Sequence, residues 1–285
     1  MGTATSVLQA IVLGITQGVT EFAPVSSSGH LIIVPWLFGW TILQNSELNK
    51  TFDVALHVGT LIGALVYFRH DVARYLAAWI RSIRRRSIAS ADERLAWALV
   101  VGTIPGALAG ALFESVIEDK LGQPWLIAVM LIVFGVILVV VDSAAPIRRR
   151  MADLSVRDGL VMGVAQAVAL QPGVSRSGVT ITAGRALGLD RESAARFSFL
   201  LALPIIAGAG ILKGIDVAGS GLPAGMAWPF VWGMVASAMS GFLVIAFLLA
   251  YLRRHSFVVF LVYRVAVAIL VFAVIAAGVR PASGL

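Results

Sequence analysis

The sequence predicts an all-α integral membrane protein built as an inverted-topology repeat. Three observations predict it: an apolar composition, the distribution of arginines between loops, and a motif that occurs twice. The 285 residues are 59% hydrophobic and 13% charged, where a soluble domain carries about 25% charged residues. Mean hydropathy is +0.92. Such a chain cannot cover itself with polar side chains, which excludes a soluble enzyme, and it is too apolar for disorder. Its length accommodates roughly six to eight crossings of about 20 residues. There is no cysteine, so disulfides, thiolate catalysis and cysteine zinc sites are excluded. The net charge of +7 is read as loop arginines on the cytoplasmic side, and no nucleic-acid partner is expected. The N-terminus lacks a basic leader and a clean small-residue cleavage site, so no removable signal peptide is expected.

The first element is an apolar stretch over 6–38, broken by Pro24-Val25-Ser26-Ser27-Ser28-Gly29-His30. Each half is too short to span, and open backbone at membrane depth needs protein or water around it. The stretch therefore reads as a re-entrant helix–loop–helix hairpin. Three spans follow at 52–69, 95–113 and 125–141, the first two separated by a basic cytoplasmic loop over 70–94. A second hairpin over 158–185 is broken by Pro172-Gly173-Val174-Ser175-Arg176-Ser177-Gly178. Spans at 197–212, 229–252 and 256–279 complete the chain.

Arginines support this order. Arg69, Arg74, Arg81, Arg84, Arg85, Arg86 and Arg94 fall between the first two spans, and Arg148, Arg149, Arg150 and Arg157 precede the second hairpin. Arg185, Arg191 and Arg196 follow it, and Arg253 and Arg254 follow the fifth span. The remaining loops (39–50, 114–124, 213–228) carry only Lys50, Lys120 and Lys213. Two re-entrant hairpins and six spans put every arginine loop inside, whereas a hairpin that crossed would force one outside. Both termini are then expected outside.

Gly14-Ile15-Thr16-Gln17 matches Gly163-Val164-Ala165-Gln166, and Val25-Ser26-Ser27-Ser28-Gly29 matches Val174-Ser175-Arg176-Ser177-Gly178. Phe52 and Leu56 match Phe197 and Leu201. One membrane domain thus divides into repeats 1–157 and 158–285, each a hairpin plus three spans. Three is odd, so the second copy is inverted, which brings the two polar loops together near the midplane. Glycines at 59 and 63, and at 102, 106 and 110, are expected to serve close helix packing. Trp36, Trp40, Trp79, Trp125, Trp228 and Trp232 are expected in an interfacial belt.

The loops carry the chemistry. Glu21, His30 and Arg176 are ionisable groups within apolar segments, each needing a reason to be there. They converge with the hydroxyls of Ser26, Ser27, Ser28, Ser175, Ser177 and Thr180. Serine caps helices well, and free N–H groups at a half-helix start bind anions. Arg176 adds a planar fork suited to phosphate oxygens. The expected ligand is a phosphate or pyrophosphate. Glu21 beside an anion implies acid–base work or an intervening hard divalent cation, to which Gln17, one turn earlier, can offer a carbonyl oxygen. Ser27 is a candidate nucleophile, and His30 a candidate base, acid or nucleophile. Asp53 and His57, one turn apart, are candidates for a supporting role.

Gln17-x-x-x-Glu21 followed by Pro24–His30 resembles the first signature of the undecaprenyl pyrophosphate phosphatases, the bacitracin-resistance family. Pro172–Thr180 is similar to the second. The resemblance spans nearly the whole chain and implies two re-entrant hairpins and six spans. It implies hydrolysis of undecaprenyl pyrophosphate to the monophosphate, the lipid carrier for cell-wall synthesis, with resistance to bacitracin. It also implies a bacterial plasma-membrane location, a site opening to the periplasmic side, and Mg2+ or Ca2+ held at Glu21. The family's essential residues fall on Glu21, His30 and Arg176, its serines on Ser26, Ser27 and Ser175, and its threonine on Thr180. Gln17 is a permitted variant of a glutamate position, and Ser28 is often threonine. The expectation is that Arg176, Ser175, Ser177 and loop N–H groups hold pyrophosphate, with a cation at Glu21, while Ser27 attacks the terminal phosphorus and Glu21 or His30 takes its proton. Attack by water activated at Glu21, or by His30, is the alternative. A transporter or flippase of polyprenyl phosphates is the alternative reading, a non-catalytic lipid binder a third. Membrane lipids and a homodimer are the other expected partners.

Overall fold

The computed structural model describes residues 3–40 and 46–283. Among these the regular structure is helical, without strands. The helices are α1 (Thr3–Phe22), α2 (Ser27–Phe38), α3 (Ser46–Tyr67), α4 (Arg69–Arg85), α5 (Ala91–Lys120) and α6 (Pro124–Ala144). They continue as α7 (Val156–Val168), α8 (Arg176–Ala186), α9 (Arg191–Ser220), α10 (Ala227–Leu252) and α11 (Val258–Ala276). Helices α5, α6, α9, α10 and α11 are long and apolar enough to cross a membrane, and α3–α4, a pair bent by 84°, passes the same test of length and composition only when its two helices are taken together. The protein is an all-α, multi-pass membrane protein. Breaks fall where proline and serine interrupt the apolar pattern, at 23–26 and 169–175. Part of the outer loop expected at 39–50, residues 41–45, and the side chain of Lys120 lie outside the described residues.

Helix pairing is reciprocal. α1 packs along α10, and α7 along α5; α3 packs on α9, and α6 on α11. Small residues set these approaches, as expected where lipid supplies no hydrophobic drive between helices. A Cβ on Gly14 would meet Gly233 O, and one on Gly18 would meet Ser240 Oγ. On the other side, Gly159 and Gly163 lie against the carbonyls of Ala98 and Gly102. Gly59, Gly63, Gly102 and Gly106 are all in close contact, but Gly110 has no neighbour within 4 Å. It is the one glycine of the expected set that packs against nothing.

The segment 70–94, read as a loop, is mostly α4, which turns by 84° from α3. The arginines hid an amphipathic pattern: Tyr75 and Ala78 are buried while Leu76, Ile80 and Ile83 are exposed between basic residues. Trp36 also departs from expectation. It is 1% exposed, and its Nε1 donates to Pro281 O at 3.0 Å, so it packs the core, not an interface. Nearby charges are paired. Arg185 and Arg191 both bind Asp142, Arg149 binds Asp158, and Arg196 on α9 binds Asp71 on α4.

Candidate active site

Two loops with one backbone conformation build the site. Ser26 and Ser175 precede α2 and α8 with φ of 74° and 77°. Each turns its hydroxyl onto the third residue of its helix: Gly29 N donates to Ser26 Oγ at 3.3 Å and Gly178 N to Ser175 Oγ at 3.1 Å. The N–H groups of the first two helical residues (Ser27 and Ser28, Arg176 and Ser177) have no intrahelical partner to satisfy them. The loops also bind each other. Gly173 N donates to Ser26 Oγ at 2.9 Å, and Ser177 Oγ donates to Ala23 O at 3.1 Å. Gly173, at φ 95°, must be glycine for a second reason, since a Cβ there would lie 2.7 Å from Ile127 O.

A cavity of about 290 Å³ opens between the loops, α3 and α9. Glu21, Ser26, Ser27, Ser28, Ser175 and Arg176 line its polar wall, joined by His57; Val54, Ile205 and Ile206 line its apolar wall. Glu21 is the hub. Its Oε2 accepts from Ser27 Oγ at 2.6 Å and from Gln17 Nε2 at 3.0 Å. Its Oε1 accepts from Arg176 Nη2 at 3.0 Å. His57 Nε2 stands 3.4 Å from Oε2, and its Nδ1 donates to the Asp53 carbonyl at 2.7 Å. Asp53 thus enters through its backbone, by orienting the ring.

Not every expected residue reaches this cavity. His30 is buried and does not line the cavity. Its Nδ1 donates to Ser26 O at 2.7 Å and its Nε2 meets Tyr263 Oη at 2.9 Å, so both ring nitrogens are engaged. Ser177 is buried in the loop-to-loop contact. Thr180 lies a turn deeper in α8, where its hydroxyl meets Ser198 Oγ at 2.6 Å and donates to Arg176 O at 2.7 Å. Ser198 was not singled out in the sequence. Its carbonyl accepts from Arg176 Nη1 at 3.2 Å, so the Arg176 fork is held at both tips. Tyr263 and Arg264 were missed too. Arg264 is a lone basic residue inside the apolar α11, which was the available signal.

The oxygen donors around Glu21 suit a hard divalent cation. Gln17 Oε1 is buried without a hydrogen-bond partner, on an amide whose nitrogen donates to the Glu21 carboxylate. An oxygen-only set of this kind fits Mg2+ or Ca2+. No group of three or more His, Asp or Glu suited to a metal occurs among the described residues, so ligand oxygens and water would fill the remaining positions.

A family model described as Bacitracin resistance protein BacA matches residues 10–270. The chain belongs to that family. Among its relatives, an undecaprenyl-diphosphatase of Geobacter sulfurreducens is 49% identical over 259 residues, covering 90% of this chain and 94% of the relative. Another of that name, from Pelobacter propionicus, is 45% identical over 275 residues, 96% and 99% of the two chains. A third, from Pelotomaculum thermopropionicum, is 47% identical over 272 residues, 95% and 98%. For a member of the BacA family, both polar loops fall inside the matched region, and so does every residue that lines the cavity.

Proposed function

We infer that this protein is a membrane phosphatase that hydrolyses undecaprenyl pyrophosphate to undecaprenyl phosphate and phosphate, and through that activity confers resistance to bacitracin. The family match and the names of the relatives over nearly the whole chain support it. One observation carries the chemistry: Ser27 Oγ donates to a Glu21 carboxylate that Arg176 holds from its other oxygen.

In the mechanism we propose, Arg176, Ser175, Ser28 and the free N–H groups at the starts of α2 and α8 bind the pyrophosphate. Ser27 Oγ attacks the terminal phosphorus, and its proton passes to Glu21 Oε2. The bond to the bridging oxygen breaks, and undecaprenyl phosphate leaves. Glu21 gives that proton up to the departing phosphate or to solvent. Water then attacks the phosphoserine, with Glu21 taking the water's proton and returning it to Ser27 Oγ as the phosphorus–oxygen bond breaks, which releases phosphate and frees Ser27. Glu21 and Gln17 would hold a divalent cation, Mg2+ or Ca2+, which when bound offsets phosphate charge. Ser26 sets the first loop, and His30, bonded to the Ser26 carbonyl, positions it. Ser177 ties the loops, and Thr180 supports the start of α8. The apolar wall of Val54, Ile205 and Ile206 faces the first part of the polyprenyl tail.

The reciprocal helix pairing and the matching caps at Ser26 and Ser175 support an inverted repeat over 1–157 and 158–285, with each broken segment re-entrant. The arginine distribution supports a bacterial plasma-membrane orientation in which the site opens to the periplasm. The deciding experiment is phosphate release from undecaprenyl pyrophosphate by detergent-purified protein with Mg2+, Ca2+ or chelator. Metal-dependent release, abolished by Glu21→Ala and Arg176→Ala in folded protein, is expected. Folded protein that releases no phosphate with any metal would overturn the reading in favour of lipid-phosphate transport. A phosphoenzyme trapped by rapid quench, absent in Ser27→Ala, is expected of the serine route.

A further inference from the structure

Arg264 has no part in the chemistry above, yet it is fully buried inside the apolar helix α11. Its Nε donates to Pro24 O at 2.6 Å, its Nη2 to Val174 O at 3.1 Å and its Nη1 to Leu131 O at 3.3 Å. Pro24 lies in the first loop, just ahead of the Ser26 cap. Val174 lies in the second, directly before the Ser175 cap. One guanidinium therefore spans both polar loops from behind and anchors them to α6. Unlike Arg176, Arg185 and Arg191, it forms no ion pair with a carboxylate among the described residues. A buried cation without a counter-ion is costly inside a membrane, so its retention calls for a reason.

We propose that Arg264 is a positioning residue for the hydrolysis: its fork sets the spacing and orientation of the two half-helix starts that carry Ser27 and Arg176. This rests on the phosphatase reading above. The attacking oxygen comes from one loop and the phosphate-holding guanidinium from the other, so their register decides whether attack is in line. Besides the Arg176–Glu21 ion pair in the cavity itself, the other two bonds between the loops rely on serine hydroxyls, which rotate. The guanidinium is planar, with fixed donor directions, and so defines the geometry better. Lysine in its place keeps the charge but loses the fork. The neighbouring Tyr263 adds a second grip, through His30 to the Ser26 carbonyl. Gly178 belongs to the same device, because a Cβ there would lie 2.9 Å from Arg264 Nη2.

The test measures kcat and KM on undecaprenyl pyrophosphate in detergent, together with thermal stability, for Arg264→Lys, Ser177→Ala, their double variant and Arg185→Lys. Arg185 is the control, being equally buried and bonded to the carbonyls of Asp142 and Ala145 at a distance from the cavity. Arg264→Lys is expected to lower kcat about 100-fold, as misplacement of a reacting group by about 1 Å does. Its KM should stay within about threefold of wild type, since the phosphate-binding groups remain. Arg185→Lys should lower thermal stability while kcat per folded molecule is retained. The double variant should be no slower than Arg264→Lys alone, because both changes act on one loop register. If Arg264→Lys does not fold, Gly178→Ala takes its place; it displaces the fork at constant charge, with the same kcat-selective loss expected. Near-wild-type kcat in the folded variant, equal kcat loss in Arg185→Lys, or strictly additive losses in the double variant would each overturn the proposal. Failure of the phosphatase reading would show in the wild type, and failure of Arg264's role only in the variants.

Discussion

Ser26 and Ser175 keep side chains at positive φ, in a sparsely populated backbone region that costs an L-residue roughly 1–3 kcal/mol. Each offsets that cost through its cap. Ser175→Gly relieves the backbone while losing the cap, whereas Ser175→Ala loses the cap and keeps the strain. The alanine variant should therefore melt below the glycine variant, a difference that a thermal denaturation series in detergent would read. Arg176 uses its fork at both tips, on Glu21 and on the Ser198 carbonyl. Arg176→Lys can serve only one of them, so kcat/KM should fall about 100-fold or more even though charge is conserved. Gln17 carries a buried carbonyl oxygen with no partner. If that oxygen faces the cation, Gln17→Leu should raise the Mg2+ concentration for half-maximal activity about tenfold. An unchanged metal requirement would remove Gln17 from the metal site.

At the scale of elements, contact between helices depends on the absence of side chains. Gly18 meets Ser240 Oγ and the Ser237 carbonyl across the α1–α10 seam. Gly18→Val must push α1 away and with it Glu21, which lies one turn further along. A loss of about 1–3 kcal/mol is expected from such overpacking, with a parallel loss of activity. Gly110 faces open space on α5, so Gly110→Ala should leave both melting temperature and activity intact. The same comparison shows what a spacing rule can read. Glycines repeating every four residues marked the packed faces at Gly102 and Gly106, but could not say where the partner helix ends. The basic stretch 70–94 was misread for a related reason: its arginines dominated the pattern, while the apolar positions of α4 repeat at helical spacing between them.

For the whole molecule, the orientation is open to a direct measurement because the chain has no cysteine. Ser87→Cys follows the basic helix α4, and Ala224→Cys lies in the arginine-free turn before α10. A membrane-impermeant maleimide should label Ala224→Cys on intact spheroplasts, and Ser87→Cys only after permeabilisation. Labelling of both from outside would reject the arrangement of re-entrant hairpins and six spans.

The sequence by itself determined the membrane class, the places where helices break, the duplication of the loops and most of the groups that face the cavity. Each of these is local: composition, hydrophobic run length, and residues within one turn of a proline or glycine. Glu21, Ser27 and Arg176 were legible because a charge or a serine cluster in an apolar run is costly unless used. Only the tertiary structure decided which of the polar residues face the same space. His30 and His57 look alike in the sequence, each a histidine in an apolar helix, yet the packing of α11 behind the loop turns His30 onto Tyr263. The packing of α3 brings His57 to Glu21. Arg264 reaches both loops from 240 and 90 residues away in the chain. Contacts over such separations depend on how distant helices pair, and no local pattern encodes that.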